Sequence, residues 1–204
     1  MINTGIDNNS DEEDQLFQKI IRNANVTNVN CVFNVECQLD LKIIASKFNF
    51  KLENEEILSL KLTNPSMVAH IHSHGTITCT GATTESKAKD GATKIFELLQ
   101  KLGLNVKFIG YRVINVVVTF NAGLKINIMS FENLYKGEIH YDSVVSVSAT
   151  LNMKDPKSTL EIFPSGIIVV KFESVKNSLE ALHKIIDIIL KCGVQENMVV
   201  PSSE

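Results

Sequence analysis

His70, His72 and His74 form a His-x-His-x-His run. On a strand this alternation puts imidazoles on one face, a spacing that zinc can use. No cysteine or carboxylate is fixed beside them by the sequence, and His74 falls in a turn. An exposed polar face is therefore the default reading and metal binding the sharper alternative. Cys31, Cys37, Cys79 and Cys192 contain no Cys-x-x-Cys pair, which speaks against a zinc knuckle or a disulfide framework. Cys31 and Cys79 lie in apolar alternations and read as small core residues. Ser, His and Asp are all present. The sequence nevertheless holds no Gly-x-Ser-x-Gly elbow, Walker loop or His-Glu-x-x-His helix. No catalytic residue, resident metal or cofactor is expected.

Among the elements that must position these groups, one stretch occurs twice. Val26 to Leu41 and Val113 to Ile128 align so that Asn28 meets Asn115, Val29 meets Val116, Phe33 meets Phe120 and Asn34 meets Asn121. Each copy is followed by a helix-like run, a Pro-led strand, an Ile-x-x-x-Gly turn and a long amphipathic helix. Two copies of one unit predict a pseudo-twofold body. The boundaries read as an acidic, disordered or loosely helical tail over 1–25, repeats over 26–110 and 111–192, and a short tail over 193–204.

The alternation gives the faces. Val29, Cys31, Phe33 and Val35 point inward from a strand whose other side is Asn28, Asn30, Val32 and Asn34. Asp40 is placed to cap a helix reaching Phe48. Leu58, Leu60 and Leu62 point inward from the next strand, which ends at Asn64-Pro65. Ile71, Ile77 and Cys79 share the inner side of a hairpin whose outer side carries His70, His72, Thr78 and Thr80. Thr84 opens a helix to about Leu102, with Gly103 as the stop. The second repeat offers a long strand to Asn121, a short helix from Ile126 to about Tyr135, and a strand from Val144 to Met153 with Val145, Val147, Ala149, Leu151 and Met153 inward. A Pro164-Ser165-Gly166 hairpin and a helix over about 175–190 follow. This order predicts an α+β fold, an antiparallel sheet with helices on one face and the other face bare. The bare face is the functional candidate.

Composition narrows the classes. Hydrophobic residues make up 44% of the chain, enough for a core. No apolar run reaches the ~20 residues that span a bilayer, and the first residues lack a secretory pattern, so an intracellular protein without a membrane role is expected. The first 25 residues hold Asp7 and the Asp11-Glu12-Glu13-Asp14 run against Lys19 and Arg22, so the net charge of −3 is concentrated there. Such a run can mimic DNA charge toward a partner, although a solvated tail is its ordinary meaning. Each repeat is close to neutral. A strong, non-specific DNA binder would carry a clear basic excess.

Several strings then resemble the TATA-box-binding protein family. They are Leu39-Asp40-Leu41-Lys42-Ile43-Ile44-Ala45, Cys79-Thr80-Gly81-Ala82-Thr83, Gln100-Lys101-Leu102-Gly103 and Lys107-Phe108. The opening Val26-Thr27-Asn28-Val29-Asn30-Cys31-Val32-Phe33 is most similar to the divergent TATA-binding-protein-like, or TBP-related, factors. The resemblance spans 26 to about 192, and in the second repeat it rests on Asn115, Tyr141, Pro156, Phe163 and Ser165-Gly166. It implies a pseudo-twofold saddle, a curved ten-stranded antiparallel sheet with four helices on its convex face. In that family the concave side grips the DNA minor groove, with two Asn at the centre and two Phe pairs wedged into base steps. The family is itself a well-known example of such wedging, in which the cost of unstacking is repaid by bent DNA that wraps more protein surface.

Carried over by position, the DNA-contacting set implied is Asn28, Asn115, Phe163, Thr80, Lys171, Val117, Val169 and Lys157. Both Asn are kept. Of the four wedge positions only Phe163 is a Phe; His72 stands at its first-repeat counterpart, and the other two fall near Glu55-Glu56 and Ser146. Glu161 replaces an apolar residue and Lys171 replaces a Thr. Tyr141, Asp142, Val144 and Val145 stand where the family has the string that docks general transcription factor IIB, with one acid kept and the second lost. The expected function is a nuclear, TATA-binding-protein-like initiation factor. It would scaffold general factors, with factor IIA the main expected partner and factor IIB open, at mostly TATA-less promoters. The alternatives are a weakly selective minor-groove binder using Lys61 and Lys154 as well, and a metal- or small-ligand-binding saddle domain.

Overall fold

The structure is a computed structural model, and it describes residues 8–48, 51–135, 138–141, 147–173 and 178–193. In chain order the elements are α1 (Asn8–Asn23), β1 (Asn25–Asn34), α2 (Leu41–Phe48), β2 (Lys51–Leu52), β3 (Ile57–Thr63), β4 (Ser66–His72), β5 (Thr76–Ala82), α3 (Glu85–Lys101), β6 (Ile109–Asn121), α4 (Ile128–Leu134), β7 (Ile139–His140), β8 (Ala149–Lys154), β9 (Lys157–Ile162), β10 (Ile167–Phe172) and α5 (Ser178–Gly193). The chain divides into two compact units. One is built on Val26–Val117; the other holds Val118–Phe172 together with α1 and α5.

In the first unit the strand order is β2-β3-β4-β5-β1 and then the opening part of β6. The described pairings within it are antiparallel. Strict alternation decides which side is covered: Cys31, Phe33, Leu58, Leu60, Ala69, Ile71, Ile77 and Cys79 are all buried. Over them lies α3, whose Ala88, Gly91, Ala92, Ile95 and Leu99 form its buried stripe. Thr84 caps α3 by accepting from the Lys87 N–H at 3.1 Å, and Asp40 caps α2 by accepting from Lys42 and Ile43 at 3.0 and 3.1 Å. Gly91 sits in that stripe because any Cβ there would run into the Met67 side chain.

In the second unit the order is the last part of β6, then β10-β9-β8-β7. Its buried side is Phe120, Ala149, Leu151, Leu160, Ile162, Ile168, Val170 and Phe172. Helix α5 presents Ala181, Leu182, Ile185, Ile186, Ile189 and Leu190 as its buried face.

The repeat reaches into the turns. Asn34 Oδ1 accepts from Glu36 N at 2.6 Å, and Asn121 Oδ1 accepts from Gly123 N at 2.8 Å. Both turn residues have positive φ, 52° at Glu36 and 74° at Gly123. Leu39 N then donates to Ser73 O in one unit, as Ile126 N does to Pro164 O in the other. Asn64-Pro65 and Asp155-Pro156 are both cis.

Two expectations change. The acidic segment before the first repeat forms helix α1, because Leu16, Phe17, Ile20 and Ile21 recur at helical spacing and bury Ile20 to 1% exposure. Its Phe17 ring lies 5.5 Å from the His183 ring of α5. The four helices expected over the two repeats are α2, α3, α4 and α5, and α1 is an additional helix among the described residues. Of the strand expected from Val144, residues 144–146 lie outside the described residues; β8 begins at Ala149, where pairing with Ile162 starts, and Val147 is 76% exposed instead of inward. No helix among the described residues is long and apolar enough to cross a membrane.

Candidate nucleic-acid interface

The open side of the first unit is built by the outward positions of β1, β3, β4 and β5. Register places Ser59 beside His70, His70 beside Thr78, Thr78 beside Val32, and Val68 beside Thr80. Lys61 is its exposed cation on β3. Across this face the polar groups mostly satisfy one another. Asn28 Nδ2 donates to Thr80 Oγ1 at 2.9 Å, while Asn28 Oδ1 accepts from Gly81 N at 2.8 Å and from the Thr80 hydroxyl at 3.2 Å. Asn34 donates to Thr76 Oγ1 at 3.1 Å. Asn30 Nδ2 donates to Asn115 Oδ1 at 2.7 Å, and Asn115 is only 8% exposed. Asn28 and Asn115 thus hold corresponding places in the repeats with different partners. Val117 is half-buried, and its carbonyl accepts from Thr27 Oγ1 at 3.3 Å.

The three histidines do not converge. His70 Nδ1 lies 2.8 Å from Ser59 Oγ and 3.6 Å from a Glu53 carboxylate oxygen, and Ser59 itself bonds to Glu53. His72 instead faces His74, with ring centres 5.3 Å apart. Burial and then the nearby His74 and His70 lower the pKa of His72, against an opposing pull from Glu56. Among the described residues no three His, Cys, Asp or Glu side chains are grouped to hold a metal ion.

The open side of the second unit is more charged. Lys154 pairs with Lys157 across β8–β9, Asn152 with Thr159, and Thr150 with Glu161; across β9–β10, Glu161 meets Val169 and Thr159 meets Lys171. Lys154, Lys157, Glu161 and Lys171 are exposed and Val169 is half-buried. Thr159 Oγ1 donates to Asn152 Oδ1 at 3.0 Å. Phe163 is half-buried just beyond β9, held by its N–H to Ile167 O at 3.0 Å and its carbonyl to Gly166 N at 2.9 Å. Tyr141, also half-buried, lines a cleft of about 620 Å³ with Ile126, Met129, Glu132 and Pro164. Asp142, Val144 and Val145 lie outside the described residues.

Sequence reading put Asn30 on this face, but counted neither Asn30 nor Gly81 among the candidate site residues. The signal for Gly81 was its adjacency to Thr80; for Asn30 it was its place between Asn28 and Asn34 on the outward side of β1, which says nothing of cross-strand partners.

The open sheet face carries polar side chains in both units. The family description "Transcription factor TFIID (or TATA-binding protein, TBP)" matches residues 23–102 and 110–192. The chain belongs to the TATA-binding protein family. The family's relatives include the TATA box-binding protein-like 1 of Danio rerio, 32% identical over 170 residues, covering 82% of this chain and 91% of that protein. The TBP-related factor of Drosophila melanogaster is 29% identical over 171 residues, covering 80% and 75%. Among solved structures, the TBP of Methanococcus jannaschii superposes with a TM-score of 0.66 at 25% identity, covering 83% of this chain and 98% of that one. The family assignment makes this chain a TBP-like transcription factor.

Proposed function

We propose that this TBP-like chain acts in the nucleus as a transcription-initiation scaffold at mostly TATA-less promoters, with TATA recognition weakened or lost. The observation that supports it best is Asn28. Its carboxamide spends both ends on Thr80 and Gly81 within its own sheet, so reading a base edge would first require breaking those bonds. His72, in place of an aromatic wedge, adds a polar ring that stacks less favourably between bases, and Glu161 sets a carboxylate on a face that would meet phosphate. Factor IIA is the principal partner in this reading, and factor IIB depends on the Tyr141 segment. The test is a salt-titrated binding assay on TATA and scrambled duplexes with a bend-sensitive fluorophore pair. Weak binding to both, with little preference and no bend, is expected. Tight, TATA-selective binding with a bend overturns it. Co-purification of factor IIA and factor IIB with the tagged chain tests the partners.

A second reading is favoured by Lys154, Lys157 and Lys171, which are exposed on one face of β8, β9 and β10: a weakly selective minor-groove binder whose grip comes from the second repeat. Three phosphate contacts predict a log–log salt slope of about −3. A flat salt dependence counts against it.

A further inference from the structure

On the covered side of the first unit, β1 and β5 bring two thiols face to face. Cys31 and Cys79 are direct Cα partners in the β1–β5 ladder, so both side chains leave the sheet on the same side. They are 0% and 2% exposed, and neither is in a disulfide. The two thiols interact with each other. Cys31 Sγ also donates to the Ala88 carbonyl of α3 at 3.8 Å. The Tyr111 hydroxyl, buried and with no other partner, faces the same sulfur. Directly opposed residues of an antiparallel pair have Cα atoms about 4.5–5.5 Å apart, inside the ~4.4–6.8 Å range of disulfides.

We propose that Cys31 and Cys79 are an oxidisable dithiol that a peroxide closes into a cross-strand disulfide, stapling β1 to β5. Cys31 is the attacking sulfur, because the Tyr111 hydroxyl, which has no other partner, faces it and can donate to its thiolate. The Cys31 thiolate attacks one peroxide oxygen and the O–O bond breaks. This leaves a Cys31 sulfenic acid, and the departing hydroxide takes up the thiol's proton as water. Cys79 sulfur then attacks the sulfenic sulfur; the S–S bond forms, the S–O bond breaks, and the Cys79 proton leaves with the hydroxyl as a second water. The dithiol loses two electrons and one peroxide becomes two waters. Both thiols are covered, so an oxidant reaches them when the unit opens locally, and hydrogen peroxide, near the size of water, needs the smallest opening. The staple would fix the two strands whose other side carries the Asn28–Thr80 bonds. This inference does not depend on the proposed function.

The test uses the full chain with Cys37→Ser and Cys192→Ser, leaving only this pair. After hydrogen peroxide and its removal, the protein is unfolded in an alkylating reagent, digested without reductant and analysed by mass spectrometry. The expected result is loss of both alkylatable thiols, a linked Cys31–Cys79 peptide reversed by dithiothreitol, and a melting temperature raised by several degrees. Two thiols that stay alkylatable, separate sulfinic acids, or links only between chains overturn it. The unsubstituted chain, run in parallel, must yield the same linked peptide, so a folding defect of the variant cannot decide the outcome.

Discussion

Asn28 and Thr80 hold each other through both ends of the asparagine side chain, Nδ2 to Oγ1 at 2.9 Å and Oγ1 to Oδ1 at 3.2 Å, with Gly81 N adding a third bond at 2.8 Å. The pair is part of the sheet's own structure. Thr80→Val should cost about 1 kcal/mol, and Asn28→Ala, which strands the Gly81 N–H as well, about 1–3 kcal/mol. The double substitution should cost less than the sum, because both remove the same bonds. Urea denaturation monitored by circular dichroism measures all three. Strict additivity would show that the two side chains do not act as a pair.

The other repeated asparagine should respond differently. Asn115 is 8% exposed and accepts from Asn30, whose own Oδ1 is buried with no partner. Asn115→Ala leaves both ends of the Asn30 amide unpaired, for a cost of about 1–3 kcal/mol. Asn30→Ala also removes the stranded acceptor, so it should destabilise less than Asn115→Ala. Equilibrium unfolding of the two variants gives the order, and a reversed order would show that the stranded Asn30 acceptor carries no penalty.

Glycine substitutions separate backbone strain from collision. Gly103 and Gly166 have φ values of 81° and 88°. A Cβ on Gly103 meets nothing within 4 Å, whereas one on Gly166 strikes the Leu124 carbonyl oxygen. Gly103→Ala should therefore cost only the left-handed penalty of about 1–2 kcal/mol. Gly166→Ala should cost clearly more, because backbone must move. Thermal melts of both variants check the difference; equal losses would mean that the collision at Gly166 is relieved at no cost.

What the sequence made legible were the features written in local period and punctuation. The inward sets of β1, β3 and β5 follow from alternation, and the Asp40 and Thr84 caps and the Gly75 and Gly103 turns follow from residue type. Strands β2 and β7 are two residues long and too short to show a period. Helix α1 was hidden because acidic residues at its start outweighed the Leu16, Phe17, Ile20 and Ile21 stripe that buries it. At the candidate site, parity placed Asn28, Thr80 and His72 on one face. Their partners depended on cross-strand register, which sequence period does not carry: Asn28 bonds to Thr80 and Gly81, and His72 lies beside His74 while His70 turns to Ser59.

His72 should leave a signature in acid. Its pKa is lowered in the folded chain by burial, then by His74 and His70, so the unfolded chain binds its proton more tightly. Its contribution is intact above the unfolded value near 6.5 and is lost as pH falls from there toward the lowered folded value. Melting temperatures between pH 7.5 and 5.5 should drop less for His72→Gln than for the unsubstituted chain. An identical drop would mean that His72 does not couple to folding.

The N-terminal helix yields the largest expected change in stability. Ile20 is 1% exposed on α1, and α1 packs against α5 within the same unit, with Phe17 and His183 ring centres 5.5 Å apart. If α1 is an integral layer of this unit, Ile20→Ala removes a buried branched side chain and should cost about 2–5 kcal/mol. A side chain on a solvated tail would change stability by less than about 0.5 kcal/mol. Lys19→Ala, one position away and exposed, is the matched control and should stay within that smaller limit. Urea denaturation of the three proteins distinguishes the cases. An Ile20→Ala loss no greater than that of Lys19→Ala would return the segment to the role of a loose acidic tail.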